Sequence, residues 1–298
     1  MPNKSDFAMN LSTPHVYRLS IACPDKVGIV GKVSSFIALY GGNITEANHH
    51  LDQDAGWFFM RTEIEAASMP FDVEQFRTAF EPIAREFSMQ WSISDSAQKK
   101  RIVLLVSHEA HCLHDLLYRW KAGELDGDIV GIVANHQVLG EMAGWYNIPF
   151  FYIPISKDNK AEAFAAYEAQ IDALNADVIV LARFMQIMPP SLCERYLGRM
   201  INIHHSFLPS FIGAKPYHQA FKRGVKLIGA TCHYVTQDLD EGPIIEQDVI
   251  RVTHRHSIED LQRLGRDVER NVLARGLIYH LEDRVMIHGH KTVVLLEG

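Results

Sequence analysis

From Val16 the apolar-rich run VYRLSIA reads as a strand, and from about Lys26 the residues Val27, Val30, Val33, Ile37 and Tyr40 recur at helical spacing. Gly41 and Gly42 end that helix, because glycine takes the left-handed conformation of a helix C-terminus without a steric penalty. Two further strands, NITEANHH and WFFMRTEIE, flank Asp52 to Gly56, which has the composition of a hairpin turn. The second of these strands is expected to bury Phe58, Met60 and Ile64 on one face and to leave Trp57 and Phe59 on the outer face. Val73, Phe76, Phe80, Ile83 and Phe87 predict a helix with one apolar side. Pro82 inside it predicts a kink, since proline removes an intrahelical hydrogen bond. MQWSIS then closes a βαββαβ unit, the order of a ferredoxin-like two-layer domain.

The polar stretch SISDSAQKK has no periodicity and reads as a boundary, with a linker at residues 96–100 between a first domain at 14–95 and a second at 101–298. Residues 1–13 read as a flexible terminus. After Arg101 short apolar runs (RIVLLV, DIVGIV, FFYIPI, DVIVLA, MINIHH) alternate with amphipathic helices near 111–123, 138–146, 160–174 and 190–197. That is the pattern of a Rossmann-like, mostly parallel sheet covered on both faces, so the whole chain is of the α/β class. ATCHYVT and PIIEQDVIRV predict an antiparallel extension. Ser257 to Asp260 predicts the capped start of a long helix reaching about Asp283, and KTVVLLEG ends the chain.

Composition narrows the function classes. The formal charge of -7 is spread over interspersed acidic and basic residues with no basic block, which argues against a nucleic-acid partner and for a small molecule. No apolar run is long enough to span a membrane, and no signal-like segment opens the chain. Cys23, Cys112, Cys193 and Cys232 are widely spaced, which fits reduced thiols in the cytoplasm better than a disulfide framework.

Ligands of α/β sheets gather at the carboxyl ends of strands, so polar residues there carry the first weight. Asn202 and His204 lie two apart on a predicted strand and share a face, bringing an amide and an imidazole together. Strand histidines are often no more than hydrogen-bonded core residues, and Asp240 before Gly242-Pro243 is equally a common turn residue. The longer segment NIHHSFLPSFIGAKPYHQAFKRGVKLIGATCHYVTQDLDEGPIIEQD resembles the folate-dependent formyl-transfer family, and NIHHSFLPSFIGAKPYHQA is similar to its formyltetrahydrofolate deformylase branch.

That resemblance implies that Asn202, His204 and Asp240 are the catalytic residues and that 10-formyltetrahydrofolate and water are the substrates. Tetrahydrofolate and formate would be the products, the formate serving purine synthesis and the balance of the one-carbon folate pool. Such chemistry needs donors aimed at the oxygen that gains charge as water attacks the formyl carbon. Asn202 and a protonated His204 would be those donors, with Asp240 holding His204 charged and orienting or deprotonating the water. Within Ala182 to Met188, the residues Phe184, Met185, Gln186, Ile187 and Met188 align with the family's pterin-binding loop, and Leu239 joins them. Gln186 departs from the arginine common there. The first βα loop, Ser107 to His114, has no glycine, whereas relatives that formylate a phosphorylated ribonucleotide need glycines there for phosphate to approach the backbone. A bulky loop would exclude a large acceptor and leave water. A formyltransferase to an amine or sugar-nucleotide acceptor using the same trio, and a non-catalytic amino-acid sensor whose first domain is the working part while the second merely binds folate, are the alternatives.

His108, His111, Cys112 and His114 could be taken for a metal cluster, but without a fitting second ligand group they read as packed or solvated residues, and no metal or cofactor is expected. Leu208-Pro209 is a candidate for a cis peptide. The front end CPDKVGIVGKVSSFIALYGGNITEANHH resembles an ACT domain, which implies a regulatory module with an amino-acid effector and a homo-oligomer. Asp25, Gly28 and Asn43, assigned to a helix N-terminus that favours a carboxylate, are the candidate effector contacts. The glycines could equally serve turns alone.

Overall fold

The structure, a computed structural model, describes residues 15–210 and 216–296. The flexible terminus expected at 1–13 lies outside these residues, as do residues 211–215 of the formyl-transfer signature. The chain divides into two compact units between Gln98 and Lys99, and the last described residues from Leu295 fall with the first unit. The second unit is thus Lys99–Val294 and not the expected 101–298. The polarity of Lys100 predicts a place in the linker. Its ammonium instead donates to the carbonyls of His280 and Leu281 (2.9 and 3.1 Å) and pairs with Asp283 (2.5 Å). A cation there satisfies the carbonyls that the C-terminus of a helix leaves open.

The first unit runs β1 (Val16–Pro24), α1 (Ile29–Leu39), β2 (Ile44–Asp52), β3 (Trp57–Glu65), α2 (Val73–Glu86) and β4 (Gln90–Asp95). Its antiparallel sheet has the order β2-β3-β1-β4, and one face shares a core with both helices. Two expectations are corrected here. Gly28 at φ +97° delays α1 until Ile29, so the helix buries Ile29, Val33, Phe36 and Ile37 while Val27 and Val30 are exposed. Phe59 is fully buried, not on an outward face, and stacks on His50, with Arg61 also buried between Glu46 and Glu63 (3.2 and 2.5 Å). The side of β3 read as outward is therefore an ion-paired interior. α2 continues through Pro82, because Phe76, Phe80, Ile83 and Ala84 bury its face and a reciprocal Asp72–Gln75 capping box secures its start.

The second unit comprises β5 (Lys100–Val106), α3 (His111–Ala122), β6 (Gly127–Ala134), α4 (Gly140–Trp145), β7 (Phe150–Tyr152), α5 (Lys160–Ala173) and β8 (Val178–Leu181). It continues with α6 (Pro190–Arg195), β9 (Met200–His204), α7 (Pro216–Arg223), β10 (Leu227–Tyr234), β11 (Ile244–Arg251), α8 (Ile258–Leu281) and the hairpin of β12 (Val285–His288) and β13 (Lys291–Val294). The sheet order is β11-β10-β9-β8-β5-β6-β7, parallel from β7 to β9 and antiparallel beyond. Along β5, Ile102, Leu104 and Val106 enter one core and Val103 and Leu105 the other, which is why it reads as an unbroken apolar run. β6 and β8 flank β5, so the chain reverses its direction of growth at β5, and a crevice opens at the strands' carboxyl ends. Among the described residues no helix is long and apolar enough to cross a membrane, and all four cysteines are buried and unpaired.

Candidate active site

Asn202 and His204 end β9, and antiparallel pairing with β10 places Asn202 opposite His233 and His204 opposite Thr231. His233 Nδ1 lies 2.9 Å from the carbonyl of Tyr234 and must donate to it, so Nε2 is left to accept from the Asn202 amide nitrogen at 3.2 Å. Burial lowers the pKa of His233 despite the hydrogen bond to Tyr234 and the charge of Asp240, which keeps the ring in this neutral form. The amide of Asn202 is thereby oriented, with its second N–H available to the cleft. No local signal in the sequence marks His233, since only strand pairing brings it to Asn202.

Asp240 arrives from the loop after β10 with φ +60°, a left-handed conformation that costs an aspartate little. Gly242 makes the approach possible: a Cβ there would stand 1.7 Å from the carbonyl oxygen of Tyr234, the atom that anchors His233. Asp240 Oδ2 is 3.2 Å from His204 Nδ1, and Oδ1 is 3.9 Å from His233 Nε2. Burial pushes the Asp240 carboxyl up, but the hydrogen bond and charge of His204, with His233 and His205 behind it, outweigh this and hold it below its ordinary value. With Nδ1–H given to Asp240, His204 turns Nε2 to the cleft, and that atom is buried without a hydrogen-bond partner.

The cleft encloses about 490 Å³ and is lined by Asn202, His204, Asp240, Leu239 and the loop residues from Arg183 to Met188. Phe184 and Met188 are buried supports, whereas Met185, Ile187 and Leu239 are each more than half exposed, so their apolar surface is offered to an occupant. Gln186 also lines the cleft, its backbone N–H held by the carbonyl of Phe184 at 2.9 Å. All nine expected catalytic and substrate-binding residues thus meet in one place. The effector candidates do not. Asp25 and Gly28 precede α1 while Asn43 follows its other end, about 16 Å of helix away at 1.5 Å per residue. The Asn43 amide donates to Glu65 at 3.0 Å. Leu208-Pro209 is cis.

The first βα loop is knitted to its neighbours. Ser107 donates to Asn135 at 2.7 Å and accepts from the backbone of Met185 at 3.2 Å, and His108 stacks on His136. His111 Nε2 lies 2.7 Å from Glu269, which also accepts from Tyr217 at 2.6 Å and has Arg183 Nε at 3.4 Å. Glu269 is fully buried in the middle of α8. Burial would raise its pKa, but the hydrogen bond from His111, the charge of Arg183 and then Tyr217 hold it below the ordinary value, so it is ionised. His111, Cys112 and Glu269 bring donor atoms within 4.8 Å of one another. Burial, then Glu269, pushes the Cys112 thiol well up, and a guanidinium already faces the carboxylate, so this donor set does not suit a divalent cation. Glu269 and Arg183 look like ordinary charged residues in the sequence. No local signal marks them.

Residues 100–277 match the family described as formyl transferase. The chain is 48% identical to a formyltetrahydrofolate deformylase of Bacillus subtilis (strain 168) over 278 residues, 93% of each chain. The crystal structure of a formyltetrahydrofolate deformylase from Pseudomonas syringae pv. tomato str. DC3000 superposes with a TM-score of 0.94 at 61% identity, covering 96% of both chains. A glycinamide ribonucleotide transformylase 1 from Symbiobacterium toebii matches at TM-score 0.62 and 27% identity, covering 94% of itself but 66% of this chain. The deformylases therefore match nearly end to end, while the transformylase leaves a third of the chain without a counterpart.

Proposed function

The chain belongs to the formyltetrahydrofolate deformylase family, and from that membership we propose that its cleft hydrolyses 10-formyltetrahydrofolate to tetrahydrofolate and formate through Asn202, His204 and Asp240. Water adds to the formyl carbon, and the carbonyl oxygen takes up negative charge. The oriented N–H of Asn202 and His204 Nε2–H donate to that oxygen, the contact that strengthens most as the tetrahedral intermediate forms. Asp240, ionised and beside His204, offsets the imidazolium charge and accepts the proton lost by the attacking water. Collapse of the intermediate breaks the bond from carbon to the folate nitrogen, which takes the proton back from Asp240 as it leaves, and the formic acid formed gives up its own proton to solvent as formate. The observation that carries the reading is the unpartnered, buried Nε2 of His204 between an oriented amide and an ionised carboxylate. The pterin rests on the apolar wall of Phe184, Met185, Ile187, Met188 and Leu239, with Gln186 at its edge.

Water is the acceptor because the loop from Ser107 to His114 is closed by its own side-chain contacts and has no glycine through which a phosphate could approach the backbone. No metal or cofactor takes part in these steps. Formate released from purified protein and 10-formyltetrahydrofolate with no added acceptor is the expected result, and strict dependence on an amine acceptor would overturn the reading. The first unit acts as an ACT-like regulatory module that binds an amino acid in a cytoplasmic homo-oligomer, and the formate serves purine synthesis. Light scattering that gives a monomer at micromolar concentration, with single amino acids leaving the rate unchanged, would refute the regulatory part alone.

A further inference from the structure

The contact of Nδ1 with Asp240, at 3.2 Å, is the one hydrogen bond that the His204 side chain makes among the described residues. A single bond leaves an imidazole free to swing about the bond axis, so it does not fix where Nε2 points, and a catalytic group needs its plane held by packing as well. His205 supplies that packing. Its ring stacks on the ring of His204, with centroids 5.2 Å apart and planes at 29°, and its other ring neighbour is Tyr217, at 6.1 Å and 39°. Among the described residues His205 forms no side-chain hydrogen bond, so these ring contacts are what it offers. Tyr217 is firmly seated: it is buried and packs with Ala220, Ile228, Val252 and Leu261. Gly265 inside α8 makes room for it, because a Cβ there would stand 2.0 Å from the Tyr217 hydroxyl and 2.4 Å from the ring carbon that bears it. Glycine weakens a helix interior, and the close approach of this ring is the reason for one here. Burial, then the charge of Arg183, lowers the pKa of His205 to about 4, so the ring is uncharged at neutral pH. An uncharged ring can lie against a protonated His204, where a second cation would oppose it.

We infer that His205 is a positioning residue for the hydrolysis: its ring, backed by Tyr217, fixes the plane of the His204 imidazole and so aims Nε2 at the formyl oxygen. This rests on the hydrolase reading, which gives His204 its task. The test measures kcat and KM for 10-formyltetrahydrofolate on the full chain and on His205→Leu and His205→Phe, with melting temperatures alongside. Each substitution is also made in a His204→Asn background. Leucine fills a similar volume without a flat face, and phenylalanine keeps the face without the ring nitrogens.

His205→Leu should lower kcat roughly 10–100-fold, the scale of a small misplacement of a catalytic group, with KM unchanged to within about twofold. His205→Phe should recover the rate to within about threefold of wild type, since the stacked face is kept. In the His204→Asn background His205→Leu should have no further effect on the residual rate, because its effect runs through His204. A phenylalanine variant as slow as the leucine variant would mean that the ring nitrogens act directly, and overturns the inference. So does an unchanged rate in His205→Leu, or a rise in KM in place of the fall in kcat. A loss in the His204→Asn background as large as in the wild-type background would make the role merely structural and overturns it too. If His205→Leu does not fold, the phenylalanine variant decides: a rate within about threefold of wild type supports the inference, and a loss beyond about tenfold counts against it. Absence of any formate release by the wild-type protein would instead defeat the hydrolase reading itself.

Discussion

Two carboxylates at the carboxyl edge of the large sheet, Asp240 and Glu269, are both ionised below their ordinary pKa, yet their settings differ. Glu269 is fully buried and saturated, with His111, Tyr217 and Arg183 around it. Asp240 lies on the cleft wall, and its one close partner, His204, keeps its far nitrogen unsatisfied. A charge whose partners are all supplied by the fold holds elements together, here α3, α7, α8 and the loop after β8. A charge on the cleft wall, with a partner that lines the same cleft, is poised for an incoming molecule. Position on the cleft wall, rather than a pKa shift or an unpartnered buried nitrogen, separates chemistry from scaffolding here, since His111 Nδ1 beside Glu269 is buried without a hydrogen bond as well.

Substitutions can break that contrast. Asp240→Asn should lower kcat by roughly 10²–10⁴-fold, the range of general acid–base groups, while the melting temperature stays close to wild type. An unchanged rate would remove Asp240 from the mechanism. Glu269→Ala should do the opposite, costing about 3–5 kcal/mol in urea unfolding, because it leaves buried Arg183 without its counter-charge and the Tyr217 hydroxyl without an acceptor. Asn202→Ala should lower kcat by roughly 10²-fold or more with little change in KM, as for loss of an oxyanion donor. A large rise in KM instead would make Asn202 a ground-state contact.

The smallest effect expected is on acid stability. Both carboxylates have depressed folded-state pKa values, so their stabilisation is complete above the unfolded-state value near ~4 and is lost as pH falls through the folded value. Urea midpoints of the wild-type protein should decline already below about pH 6.5, because burial lowers the pKa of His205, His233 and His280 and the unfolded chain takes up their protons first, and the two carboxylates should steepen the decline below about 4. Asp240→Asn should flatten part of that decline. A steeper decline in the variant would reverse the sign assigned to Asp240.

Much of the fold was legible because period and punctuation are local. Continuous apolar runs announced the doubly covered strands β5, β6 and β8, and Ser257 with Asp260 announced the start of α8 through a capping box that is present. Short elements escaped. β12 and α7 are too brief to establish a period, and the sequence pattern predicts neither. The outward face assigned to Phe59 failed because alternation says which residues share a face, not whether that face is covered.

The sequence by itself determined most of the order of elements and the α/β class, since these are carried by residues close along the chain, while its resemblance to a known family named Asn202, His204 and Asp240 and the loop from Phe184 to Met188 as a candidate site. Only the tertiary structure decided that His233 orients Asn202 and that Gly242 lets Asp240 reach His204. It alone also brought His111, Tyr217 and Arg183 together around the buried Glu269. Those relations join residues tens of positions apart through strand pairing and burial. Neither pairing register nor desolvation can be read from a residue's neighbours in sequence.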